Sequence, residues 1–284
     1  MKLIRFGEAN KEKPGVLLGD ALYDVSSLTS DYDEKFFEND GVSKLRSLIE
    51  SKKNSLPQVP PGSRLGSPVA RPSKIVCIGL NYADHAKETG ATPPPEPVIF
   101  LKSTTALTGP FDDIMIPLSS KKTDWEVELG VVIGKKASYV EEDNALDYVA
   151  GYVLHNDVSE REFQIERSGT WDKGKGCDTF APLGPWLVTQ DEIADIDNLR
   201  LWLRVNGKTM QDGTTANLIF KIPFLISYTS RFMTLLPGDV ISTGTPAGVG
   251  MGMNPQVYLR EGDVVELGID GLGMSRQNVV AYRK

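Results

Sequence analysis

Glu126 and Glu128 stand two apart in the run Thr123-Asp124-Trp125-Glu126-Val127-Glu128-Leu129-Gly130-Val131-Val132-Ile133-Gly134. A period of two reads as a strand, with Trp125, Val127, Leu129, Val131 and Ile133 on one face and both carboxylates on the other. Neighbouring anions repel, and burying either one without a partner is costly. A hard cation between them, Mg²⁺ or Mn²⁺, satisfies both; a half-buried strand with a solvated acidic edge is the plain alternative. Asp157 follows an apolar strand-like run at 149–156 and offers a third carboxylate, or simply helps start a helix. Three carboxylates with open positions suit an octahedral cation.

Other residue types extend this chemistry. His85 and Glu88 lie three apart in 81–90 (NYADHAKETG), a short helix with Asn81 or Asp84 as cap and Gly90 as stop. At that spacing the side chains meet, and a carboxylate beside an imidazole makes a general base for water. An exposed helix histidine is the alternative. His155, inside an apolar strand, reads as a satisfied core histidine or one that supports a ligand. Lys175, between two glycines in a flexible loop, can approach a ligand and neutralise oxyanion charge, or face solvent. Arg161 and Gln164 share a helix face, and Ser159 with Glu162 has capping-box form. Residues 244–250 (GTPAGVG) can present backbone N–H groups as an anion nest but lack the P-loop pattern, and no G-x-G-x-x-G follows a strand.

The elements that must position these residues are many short strands and few helices. Strand patterns occupy 2–6, 14–18, 21–25, 74–80, 98–102, 149–156, 186–189, 199–205, 239–243 and 264–269. Gly19-Asp20 and Asn206-Gly207 mark hairpin turns. Helical patterns fall at 30–52, 141–148 and 222–235. Residues 55–73 are rich in Pro, Gly and Ser and read as a linker, dividing a small N-terminal domain at 1–70 from a catalytic domain at 71–284. The expected fold class is α+β and β-dominated. A formal charge of −7 argues against nucleic acid or an anionic membrane as the main partner. No apolar run approaches membrane-span length, the N-terminus lacks a signal-peptide core, and Cys77 and Cys177 have no zinc-ribbon spacing. A cytoplasmic location is the expectation.

Several separated motifs together resemble the fumarylacetoacetate hydrolase family, over about residues 72–284. They are Gly79-Leu80-Asn81-Tyr82 with His85 and Glu88, Glu126-x-Glu128-Leu129, and Asn156-Asp157-Val158-Ser159-x-Arg161-x-x-Gln164. In the same order follow Lys175-x-x-Asp178-Thr179-Phe180-x-Pro182-x-Gly184-Pro185 and Thr243-Gly244-Thr245-Pro246-x-Gly248-Val249-Gly250. The N-terminal part is similar to a bacterial subgroup labelled ureidoglycolate lyase or 2,4-diketo-3-deoxy-L-fuconate hydrolase. The resemblance implies a mixed β-roll catalytic domain and a homodimer. It implies Mg²⁺ or Mn²⁺ on Glu126, Glu128 and Asp157, and a His85–Glu88 dyad on a lid. It further implies Lys175 beside the reacting carbonyl, and Arg161, Gln164 and Thr245 holding a small 2-oxo acid. The implied reaction is hydrolysis of a carbon–carbon bond in a 2,4-dioxo acid. Lyase, dehydratase, isomerase and decarboxylase chemistry through the same metal–enolate logic are the alternatives.

Overall fold

A computed structural model describes residues 1–52, 55–88, 90 and 92–282 of the protein. Its centre is the strand Val127–Ile133, and all seven residues of that strand are buried. Both faces of the strand are buried, Val127, Leu129, Val131 and Ile133 on one and Glu128, Gly130 and Val132 on the other. It pairs antiparallel with Val149–Asn156 on one side and with Val240–Ser242 on the other. Gly130 lets these neighbours close in, since a Cβ there would sit 2.8 Å from Val153 Cγ1.

The expected 123–134 strand is therefore interrupted. Thr123–Asp124 forms a separate two-stranded ribbon with Ser159–Glu160, and Trp125 and Glu126 lie between the ribbon and the central strand. Nor is one face solvated, because Gly130 and Val132 are buried along with the apolar set.

Outward from the centre, Val240–Ser242 runs parallel to Ile75–Gly79, which pairs antiparallel with Val98–Lys102. In the other direction Val149–Asn156 leads to Leu187–Thr189 and then to the N-terminal strand Lys2–Phe6. Lys13–Leu18 and Ala21–Asp24 extend the same ten-stranded sheet through the expected turn at Gly19-Asp20. Residues Lys2 and Leu3 thus hydrogen-bond opposite Val188 and Leu187, so the N-terminal segment shares the central sheet. A second sheet of five strands contains the hairpin Arg200–Val205/Lys208–Thr214 around Asn206-Gly207. Strand outweighs helix and the sheets are mixed, as the α+β, β-dominated expectation requires.

Helices are short and peripheral. The 30–52 pattern splits into Glu34–Glu38, capped by Asp33, and Gly41–Lys52. The 222–235 pattern gives Ile222–Phe232, started by a proline in its first turn. The helix expected over 81–90 spans Ala83–Glu88, and position 89 lies outside the described residues. Lys175 belongs to a one-turn helix, Asp172–Lys175, rather than to a loop. Among the described residues no helix is long and apolar enough to cross a membrane.

Candidate active site

Strand register assembles the acidic centre. Glu128 lies opposite His155 and Val127 opposite Asn156, so Asp157 emerges beside Glu126 and donates its N–H to the Glu126 carbonyl at 2.9 Å. Glu126, Glu128 and Asp157 are buried, and one carboxylate oxygen from each lies within 4.8 Å of the others. Lys175 Nζ donates to Glu126 Oε2 at 2.6 Å and to Asp157 Oδ2 at 2.9 Å. The remaining Asp157 oxygen is taken by buried Lys102.

The three acids are held differently. Burial opposes the charge on Asp157, yet Lys102 and Lys175 more than offset it and keep the carboxyl well below its usual range. Glu128 accepts from Ser242 Oγ at 2.5 Å and from the Gly244 N–H at 3.0 Å. Among the described residues it forms no ion pair. Burial first, then the Asp157 and Glu126 charges, push its carboxyl well above the ordinary range. Lys175 is also disfavoured by burial, but Asp157 and Glu126 raise its pKa overall. A buried, oxygen-only donor set with an excess of carboxylate over cation fits Mg²⁺ or Mn²⁺. A divalent ion would stabilise the ionised Glu128 that the protein alone disfavours.

Arg161 completes this wall. Its Nε donates to Asp124 Oδ2 at 2.8 Å and its Nη1 to Gln164 Oε1 at 3.0 Å. Its Nη2 lies 2.8 Å from Glu126 Oε1 as a charge contact without the alignment of a hydrogen bond. Ser159 does not cap a following helix. It belongs to the ribbon, donates to the Asp157 carbonyl, and is followed by a π-helical turn at Glu162–Glu166 that carries Gln164.

The dyad sits across the cleft on Ala83–Glu88. His85 Nδ1 lies 3.4 Å from Glu88 Oε2, at the long end for a hydrogen bond. Glu88 is anchored by the Gly248 N–H, at 2.9 and 3.0 Å from its two oxygens. Burial opposes its charge, but the bonds from His85 and Gly248 prevail and lower its pKa. Gly252 leaves the room, since a Cβ there would come within 2.5 Å of the Glu88 carboxyl carbon. Asn81 ties the root of this helix down, donating to the Thr243 and Phe220 carbonyls and accepting from the Phe220 N–H.

The 244–250 loop corrects the expected anion nest. Its N–H groups face the chain's own carboxylates: Gly244 to Glu128, Gly248 to Glu88 and Gly250 to Asp124. Met251 N–H also donates to Asp124. Thr245 lines the cleft, but its hydroxyl donates to the Val127 carbonyl and accepts from Gln211, which locks the loop to the central strand. His155 donates or accepts between Nδ1 and Ser242 Oγ at 2.6 Å. Burial lowers its pKa to about 3, so it is a neutral support behind Glu128. Burial pushes the Cys177 thiol up to about 11, which makes it a poor nucleophile.

One cleft of about 190 Å³ therefore gathers His85, Glu126, Glu128, Arg161, Gln164, Lys175 and Thr245 on a common surface. Glu88 and Asp157 support it from behind. Two residues were not singled out from the sequence: Lys102, which orients Asp157, and Asp124, which holds both Arg161 and the Gly250–Met251 turn. Asp124 carried a usable signal, because it extends the Glu126/Glu128 alternation by one more step of two. Lys102 carried none, as its partner is 55 residues away.

Comparison with known proteins bears on this arrangement. The family described as fumarylacetoacetate (FAA) hydrolase C-terminal matches residues 74–280. A Burkholderia multivorans protein, named no more closely than a hydrolase, is 53% identical over 285 residues, covering 100% of both chains. The solved fumarylacetoacetate hydrolase of Exiguobacterium antarcticum is 34% identical, with a TM-score of 0.85 over 99% of this chain and 100% of that one. A maleylpyruvate hydrolase from Sphingobium sp. SYK-6, solved with manganese(II) and pyruvate, is 30% identical, with a TM-score of 0.83 over 100% of both chains.

Proposed function

The chain belongs to the fumarylacetoacetate hydrolase family, and on that footing we propose that it is a metal-dependent hydrolase cleaving the C3–C4 bond of a 2,4-dioxo acid. The observation that carries the reading is the convergence of His85, the buried Lys175 ammonium and the Glu126 and Glu128 carboxylates on one small cleft, with buried Asp157 completing the acidic cluster from behind. The finer assignment follows the N-terminal resemblance: 2,4-diketo-3-deoxy-L-fuconate, giving pyruvate and lactate, processed by a homodimer in the cytoplasm.

Glu126, Glu128 and Asp157 would hold one divalent cation, Mg²⁺ or Mn²⁺, which supplies Lewis-acid stabilisation of developing enolate charge. His85, oriented by Glu88, takes a proton from water, and the water oxygen adds to C4. The C3–C4 bond then breaks. Its electron pair passes to C3 as a pyruvate enolate, the C4 fragment leaves as a carboxylic acid, and a proton at C3 completes pyruvate. Lys175 places its ammonium where that negative charge develops. Arg161 and Gln164 fix the substrate's carboxylate end, and the tie between Glu88 and Gly248 keeps the lid helix over the cleft.

The test is pyruvate release by purified protein from a panel of acylpyruvates, with Mg²⁺ or Mn²⁺ and with chelator. Metal-dependent pyruvate release is expected, and none from any member of the panel would refute the reading. Turnover of ureidoglycolate instead would move the assignment to a lyase.

A further inference from the structure

The cleft has a second wall that the chemistry above leaves unused. Leu80, Phe100, Ile165, Trp171 and Met251 line it alongside the charged groups. This wall starts at the charged centre, where Lys175 Nζ lies 5.0 Å from the Phe100 ring centroid. It continues to Trp171, whose ring is 5.3 Å from that of Phe100. The wall is built rather than incidental. Trp171 packs against Gly79, and a Cβ at Gly79 would fall 2.5 Å from its ring. Leu80 lines the cleft from a left-handed backbone conformation, φ 54°, a setting unfavourable for a residue with a bulky side chain.

Charge in the cleft is distributed just as unevenly. Among the described lining residues the lysine and arginine side chains are Lys175 and Arg161. Both are engaged with the carboxylates of Asp124, Glu126 and Asp157. A ligand whose first carboxylate and oxo group sit at that centre would extend its far end along Phe100, Trp171 and Ile165. A second carboxylate there would lose its hydration without gaining a cation.

We propose that this wall is a subsite for an uncharged hydrocarbon end, so that the protein selects 2-oxo and 2,4-dioxo monocarboxylates against those ending in a second carboxylate. The inference rests on the proposed function for which end of the ligand meets the charged centre. The hydroxyethyl end of 2,4-diketo-3-deoxy-L-fuconate falls within the selected class. Ile165, half-exposed at the rim, is the position where a cation can be added with least disturbance of the core.

Binding rather than turnover tests it, which separates it from the hydrolase reading. Titration calorimetry with Mn²⁺ present compares 2-oxohexanoate with 2-oxoadipate, which have the same six-carbon chain and differ in the terminal carboxylate. The expected result is tighter binding of 2-oxohexanoate by about tenfold or more. Ile165→Arg should narrow that ratio by about tenfold, and Trp171→Phe should weaken 2-oxohexanoate selectively. Melting curves of both variants check that the fold is kept. Equal or tighter binding of 2-oxoadipate by the unmodified protein overturns the proposal, as does binding of neither ligand. A ratio unmoved in folded Ile165→Arg overturns it too. Absence of pyruvate release from acylpyruvates would sink the hydrolase reading while leaving this binding preference in place.

Discussion

The molecule contains two clusters of acidic and basic side chains that look alike in composition and differ in what they can do. One lies where the N-terminal strands meet the rest of the sheet. There Arg5 pairs with Asp31 and Glu12, and Arg64 with Glu12 and Asp112. The other surrounds Asp157 in the cleft. In the first, every carboxylate has a guanidinium, and the side chains are 8 to 29% exposed. In the second, the ion-paired side chains are at most 7% exposed, and Glu128 is left with a hydroxyl and a backbone N–H in place of a cation. The pKa directions follow. Burial opposes charge at Asp112, yet Arg64, Thr108 and Gly109 lower it, whereas Glu128 is pushed up. A matched cluster braces the structure; a fully buried cluster with one unmatched carboxylate is set up to receive a cation.

Breaking the unmatched member should have the largest effect. Glu128→Gln is expected to lower metal-dependent turnover by about 10³-fold or more, because it removes a charge from the centre proposed to hold the cation and stabilise the enolate. The same variant without metal should melt higher than the parent, since a repelled buried carboxylate is gone. Next in size is His85→Ala, which should cost about 10²- to 10⁴-fold in hydrolysis while Mn²⁺ affinity stays unchanged. Lys102→Met leaves the ligands in place but frees one Asp157 oxygen, and should weaken Mn²⁺ binding by about 10- to 100-fold.

His85, Glu126, Glu128, Asp157 and Lys175 were legible as candidates because each sits in a short local pattern, whereas the place of Arg161 and Gln164 beside them was implied only by the family resemblance. Alternation, an i, i+3 pair or a residue at the end of an apolar run reads directly from spacing. Lys102 was not legible, since a lysine closing a strand looks the same whether it meets solvent or Asp157. The fate of the 244–250 N–H groups was also hidden. Glycine spacing shows that the loop can surround anions but not that Glu128, Glu88 and Asp124 are those anions. The same limit applied to the sheet. The Lys2–Phe6 strand was readable, but its pairing with Leu187–Thr189 depends on contacts across most of the chain. The interruption at Trp125 and Glu126 was missed because the period of two continues through it.

The smallest expected effect concerns the matched cluster. Arg64, Thr108 and Gly109 hold the Asp112 carboxyl below the ordinary aspartate range, so it contributes stability above that range and loses it as pH falls through the lower folded value. Asp112→Asn should therefore flatten the acid limb of the melting profile below about pH 4. It should leave metal affinity at neutral pH unaffected. A change in Mn²⁺ binding in this variant would blur the distinction between the two clusters.

The distinction is tested most directly by titrating Mn²⁺ into chelator-treated protein by calorimetry. One tight site per chain is expected, lost in Glu128→Gln and kept in His85→Ala. Absence of binding by the parent protein, or unchanged binding by Glu128→Gln, would contradict the assignment of this carboxylate cluster as a metal centre.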